Sequence, residues 1–328
     1  MTYEQQVEAI QQQGFTPRQA RFLVLVMRHA GVCLDRHYCR FAGLIHGRTT
    51  TSFFETLVRR RFATPYRAGV NRAWIYHIHS KRLYRAIDDV DSRYRRPAYL
   101  GRAIERLMQL DAILAAPAGM TWCSHEREKL AHFLSRAHGV IDRDDCPALI
   151  FRGPTDTTVR YFPDRLPIGW DPDARLHLFL YLLLRPDLGR FRAFLRRHAQ
   201  LLRLLPRWRL RLVLPRHDVV TADLHRQLVF QELASPLPAS TAEELRWYFK
   251  QRRLPDPVRD ARYLRAAAAF AAPRFKAVYR AWIREGDSVL DAARSPVIAD
   301  ALTRGAGLVE TVVLPHSYRH LTGLLHVA

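Results

Sequence analysis

The run Arg48-Thr49-Thr50-Thr51-Ser52 puts one guanidinium and four short hydroxyls into five consecutive positions. Such groups donate to and accept from both phosphate oxygens and base edges, and their shortness lets a backbone come close to its partner. Arg59, Arg60 and Arg61 close the same stretch, and Arg67, Asn71 and Arg72 follow on either side of Gly69. Guanidiniums suit phosphates, whereas the opening hydroxyls suit bases. The candidate contact set for double-stranded DNA is therefore Arg48, Thr49, Thr50, Thr51, Ser52, Arg59, Arg60, Arg67, Asn71 and Arg72. The bland alternative is a solvated helix face beside an ordinary hairpin.

The surrounding sequence shows how these residues are to be held. Thr16 before Pro17 reads as an N-cap with proline at the first helical position. The helix it opens runs to about His29, with Ala20, Leu23, Val24 and Met27 on one stripe. Gly31 stops it, a second helix covers Asp35–Ala42, and Gly47 separates that from a third over Arg48–Arg60. Phe54, Leu57 and Val58 give this third helix its inward face. Phe62–Tyr66 and Ala73–His79 then read as two strands joined by the basic turn 67–72. Three helices followed by a hairpin is the order of a winged helix-turn-helix, in which the third helix lies in the major groove. Residues 1–90 are expected to form that domain.

Two composition breaks divide the rest. Asp88–Pro97 is a charged stretch, and Ala234–Ser240 is rich in proline and small residues. Between them, 98–235 reads as a mixed α/β domain. It has helices at Tyr99–Ala115, His125–Ala137 and Asp187–Leu205. Its strands fall at Ala148–Phe151, Thr158–Phe162, Arg165–Trp170, Arg175–Leu184 and Arg207–Leu214. Residues 240–328 read as mostly helical, with a late strand at Leu308–Leu314. The fold class expected is α+β.

Two resemblances follow from these runs. Phe15-Thr16-Pro17-Arg18-Gln19-Ala20-Arg21-Phe22-Leu23, Thr49–Arg60 and Trp74-Ile75-Tyr76-His77-Ile78 resemble the replication-relaxation family of plasmids and other mobile elements. That resemblance implies a cytoplasmic DNA-binding protein tied to replication, mobilisation or transcription of such an element. The middle order of helix, strands, helix and strand, with Pro163-Asp164 at a strand turn, resembles the restriction-endonuclease-like PD-(D/E)xK core. Active members need a second acid and a lysine on the third strand to hold Mg²⁺ and position water. Here that strand reads Arg175-Leu176-His177-Leu178-Phe179-Leu180, with neither, so an inactive version is expected.

Charge supports the nucleic-acid reading. The formal net charge is +21, and residues 1–100 carry 17 Lys+Arg against 7 Asp+Glu, or +10. The corresponding balances are +6 over 101–235 (21 against 15) and +5 over 236–328 (14 against 9), so positive charge is densest where the candidate contacts lie. Only four basic residues are lysines (Lys81, Lys129, Lys250, Lys276), a bias that a GC-rich coding sequence also produces.

Other classes find less support. Cys33, Cys39, Cys123 and Cys146 form no CxxC pair, which fits a reducing cytoplasm. His29, Cys33, His37 and Cys39 lie close in sequence but lack the paired spacing of a structural zinc site, so no metal is expected. His125-Glu126-Arg127-Glu128-Lys129 has lysine where a zincin has its second histidine, and no Walker loop, GxGxxG or GxSxG motif is present. No cofactor and no catalytic residue is expected. The arginine-rich stretch 190–211 reads as a helix with one buried face, and Leu314–His320 reads as either a site or a capped terminus. No apolar run is long enough to span a bilayer, and the polar start lacks the core of a signal peptide.

The reading is a non-catalytic, sequence-specific regulator or accessory protein of a mobile element, pairing as a two-fold homodimer because one winged helix covers only a short half-site. The alternatives are a metal-dependent nuclease with an atypical site and an adaptor whose winged helix binds protein.

Overall fold

A computed structural model describes residues 1–67, 74–117, 119–136, 140–153, 156–184, 187–216, 221–256, 259–316 and 318. The chain is mixed α+β with several sheets.

The first segment builds α1 (Tyr3–Gln11), α2 (Pro17–His29), β1 (Val32–Cys33), α3 (Asp35–Ala42), α4 (Arg48–Arg59), β2 (Ala63–Arg67), β3 (Trp74–Ile78) and α5 (Lys81–Ala86). Two capping boxes start its first two helices: Thr2 with Gln5, and Thr16 with Gln19. Gly31 ends the α2 turn with φ +70°, and a Cβ there would run into the Tyr94 carbonyl, so only glycine fits. That turn lets the two-residue β1 pair with β3, Val32 opposite His77 and Cys33 opposite Tyr76. The sheet order is β1-β3-β2. Its core is aromatic: Phe22, Tyr38, Phe53 and Phe54 are buried, and the Tyr38 and Phe53 ring centroids lie 4.5 Å apart.

After α6 (Leu100–Leu114) come β4 (Thr121–Cys123), α7 (Glu126–Arg136), the separate hairpin β5 (Ala148–Arg152) and β6 (Thr157–Tyr161), β7 (Ile168–Asp171), β8 (Leu176–Leu182), α8 (Leu188–Leu204), β9 (Trp208–Pro215) and α9 (Thr221–Val229). Four further helices follow, α10 (Ala239–Arg253), α11 (Ala261–Ala269), α12 (Pro273–Glu285) and α13 (Ser288–Arg294), then α14 (Val297–Thr303) and β10 (Gly307–Leu314). The main sheet has the order β10-β9-β8-β7-β4. Here β4, β7 and β8 run antiparallel in turn, whereas β8, β9 and β10 are parallel.

The central strands β8 and β9 are buried on both faces, which explains the near-continuous apolar run of β8. Phe179 and Tyr181 join Phe191, Phe194 and Leu195 of α8 in one core, while Leu178 and Leu180 join Ile104, Leu107 and Met108 of α6 in another. The second core also takes in Val32, Leu34 and Ile75 of the first segment, and Leu110 of α6 belongs to the first segment's own core. Helix α6 is thus a shared wall. The third segment divides: α10 to α13 hold their own core around Leu245, Phe249, Val278, Trp282 and Leu290, whereas β10 completes the main sheet and Ile298 of α14 packs into the α8 core. The proline-rich break at 234–240 therefore separates neighbours in sequence without closing off the middle core.

Candidate nucleic-acid interface

Helix α4 owes its orientation to Phe53, Phe54 and Leu57, all buried, with Phe54 stacked on Tyr76 of β3 at 4.2 Å between centroids. Arg48, Thr51, Ser52, Glu55 and Arg59 fall at the three- and four-residue spacings of the opposite face and are exposed, and Thr49 is exposed at its edge. No side chain caps the helix start at Gly47, and no acid occupies the first turn, which leaves the first N–H groups and the positive dipole end open to an anion.

Thr50 is the exception among the opening hydroxyls. It is fully buried, with its hydroxyl 3.4 Å from the Cys39 thiol, so it cannot reach a base and leaves the contact set. The helix period explains this: Thr50 precedes Phe54 by four residues and shares its inward side.

Arg60 is also not free. Its guanidinium lies over the Phe62 ring at 4.6 Å and the Phe15 ring at 5.4 Å, binding α4 to the loop before α2. Arg59 is exposed and donates to Thr56 at 3.4 Å. Arg67 is exposed at the end of β2, opposite the half-exposed Trp74, while Asn71 and Arg72 lie outside the described residues. The structure thus gathers Arg48, Thr49, Thr51, Ser52 and Arg59 on one helix face, with Arg67 on the adjoining hairpin.

Sequence reasoning missed the group that anchors α3, the helix before α4. Asp111 of α6 is fully buried and takes both guanidinium nitrogens of Arg36, each at 2.8 Å. His37 Nε2 stands 3.1 Å from the same carboxylate, and the Tyr318 hydroxyl donates to it as well. His37 Nδ1 accepts from the Leu34 N–H at 3.1 Å, which leaves the proton on Nε2, facing Asp111. Burial alone would raise the Asp111 carboxyl, but the His37 and Arg36 groups outweigh it and hold it well below the usual carboxylate range. Burial lowers His37, with Asp111 opposing in part, and raises the Tyr318 hydroxyl. The only sequence hint was the polar aromatic cluster after Leu314.

The residues weighed for metals go to separate partners. His29 Nδ1 meets the Ser124 hydroxyl, Cys33 is buried with its thiol pushed up by desolvation, and His37 serves Asp111. His177 is buried with its Nε2 3.0 Å from that of His132. Asp164, the acid of the Pro163-Asp164 turn, is held by Arg197 at 2.7 Å. A lysine does approach it, from α7 instead of the third strand. Lys129 is buried, donates to the Leu166 carbonyl at 2.6 Å, and burial pushes its ammonium down to about 7. No group of three or more His, Cys, Asp or Glu side chains converges among the described residues.

No helix among the described residues is long and apolar enough to cross a membrane. The chain matches no protein-family profile, no curated protein and no solved structure.

Proposed function

We propose that this chain is a cytoplasmic, sequence-specific duplex-DNA-binding protein, a regulator or accessory factor of a mobile element acting as a homodimer without catalysis. The observation that carries the reading is the exposed face of α4, with Arg48, Thr49, Thr51 and Ser52 at the open start of the helix and Arg59 at its end, beside the hairpin that carries Arg67. The pairing of β1 with β3, between the first and last strands of a three-helix unit, supports a winged helix-turn-helix. The order of β4, β7, β8, α8 and β9 supports a restriction-endonuclease-like middle layer. The test is a mobility shift of the full-length protein with a pool of duplex fragments over a salt series. With about five phosphates neutralised, log affinity falls against log salt with a slope of roughly −4 to −5. No shift at low salt refutes the reading, and salt-insensitive capture of a protein in its place favours an adaptor.

The same preparation is expected not to cut DNA. A nuclease of this type fixes its metal with at least two acids, whereas among the described residues Asp164 pairs with Arg197 and belongs to no cluster of three metal-ligating side chains. Supercoiled plasmid incubated with protein and Mg²⁺ or Mn²⁺ stays supercoiled. Nicking that disappears in Asp164→Ala would install the nuclease reading instead.

A further inference from the structure

A cleft of about 540 Å³ opens between the start of α6, the end of β8 and the start of α8. That volume lies within the range of small-molecule sites, roughly 300–1,000 Å³. Five arginines line it: Arg93, Arg102, Arg106, Arg165 and Arg190. The three acids in the wall are already engaged: Glu105 with Arg102, Asp164 with Arg197, and Asp187 as the N-cap of α8. Among the described residues, no carboxylate pairs with Arg93, Arg106, Arg165 or Arg190.

Arg106 is the telling residue. It is more than nine-tenths buried, its Nη2 donates to the Arg93 carbonyl at 3.1 Å, and its buried Nη1 has no hydrogen-bond partner among the described residues. A buried donor on a charged group costs free energy unless something accepts from it. Arg93 and Arg106 also flank the Tyr94 ring, at 4.6 and 5.2 Å, so their guanidiniums are fixed in place. Burial lowers Arg106 and Arg165, and the neighbouring cations Arg93 and Arg102 lower both further, a penalty that a bound anion would remove. Tyr99 caps α6 without a side-chain bond, no acid sits in the first turn, and that helix start lines the cleft. The Tyr99 ring is 72% exposed at the same place.

We propose that this cleft binds a small nucleotide, its phosphate held by Arg106, Arg165 and Arg190 and its base against Tyr99. Guanidiniums match phosphate geometry in pairs, and every base offers a face to an aromatic ring. The volume exceeds what a bare phosphate fills. Tyr318 lines the cleft and also donates to Asp111, so an occupant touches the cluster that anchors α3. The binding itself does not depend on the DNA reading.

Titration calorimetry on the full-length protein tests this with four probes: adenosine 5′-monophosphate, adenosine, inorganic phosphate and a thymidine hexanucleotide. The monophosphate is expected to bind at least about 10-fold more tightly than each of the other three. Arg106→Met and the exposed Arg165→Glu are each expected to weaken it by roughly 10-fold or more. Should Arg106→Met fail to fold, Arg165→Glu with an unchanged melting curve decides alone. Absence of binding, equal affinity for phosphate and nucleotide, preference for the oligonucleotide, or binding indifferent to Arg165→Glu each overturns the proposal.

Discussion

Replacing Arg48, Arg59 and Arg67 together by alanine is expected to weaken duplex binding by roughly 100-fold at moderate salt, at about 1 kcal/mol for each lost phosphate contact. All three are exposed, and none forms an ion pair among the described residues, so the protein should fold unchanged. Each lost contact also releases about one fewer counterion, and the log–log salt slope should become shallower by nearly 3. Both changes should appear equally on preferred and random DNA, because phosphates carry no sequence. Thr49→Ala and Ser52→Ala should instead weaken preferred sites selectively. Arg60→Ala serves as the control: its guanidinium is spent on Phe15 and Phe62, so its loss lowers stability and leaves the slope alone. Mobility shifts across a salt series separate these outcomes. An unchanged slope in the triple variant would place the DNA contacts elsewhere.

The second large effect concerns Asp111. Removing this carboxylate leaves Arg36, His37 and the Tyr318 hydroxyl around an empty acceptor site in a fully buried position. Breaking a buried pair from one side costs about 3–5 kcal/mol, and Asp111→Ala is expected to fall in that range by urea unfolding. Asp111→Asn keeps the volume and one acceptor oxygen, and should lose somewhat less. The pH dependence follows from the depressed folded-state value. The unfolded chain binds a proton near pH 4 while the folded one does not, so stability from Asp111 is complete above about pH 4 and is lost as pH falls below it. The gap between the native protein and Asp111→Asn should therefore narrow on acidification. A gap constant from pH 7 to pH 3 would show that Asp111 stabilises by shape and not by charge.

The amino-acid sequence by itself determined the local elements. Thr16-Pro17 with Gln19 fixes the start of α2, and its apolar spacing carries the helix to His29, because caps and helical periods are decided within a few residues. The same logic makes α3, α4 and the hairpin β2–β3 legible, and it places Arg48, Thr49, Thr51, Ser52 and Arg59 near one another on a single helix. Even so, α1 escaped notice, since its buried face amounts to Val7 and Ile10 in a polar run.

Tertiary structure decided what depends on distant partners. The helix period already puts Thr50 on the side of Phe54, but what covers that side is Tyr76, on a strand that begins fifteen residues after α4 ends. The two residues of β1 carry no strand signal of their own, and they pair because β3 offers an edge. Strand β10 joins β9 across more than ninety residues, with Glu310 meeting Arg209 and Arg211, and no local pattern announces such a parallel pairing. Asp111 looks like one polar residue on an apolar helix until Arg36, His37 and Tyr318 arrive from two other parts of the chain. The five arginines of the cleft are likewise gathered from positions 93 to 190, because charge is written along the sequence but its pairing is settled only in space.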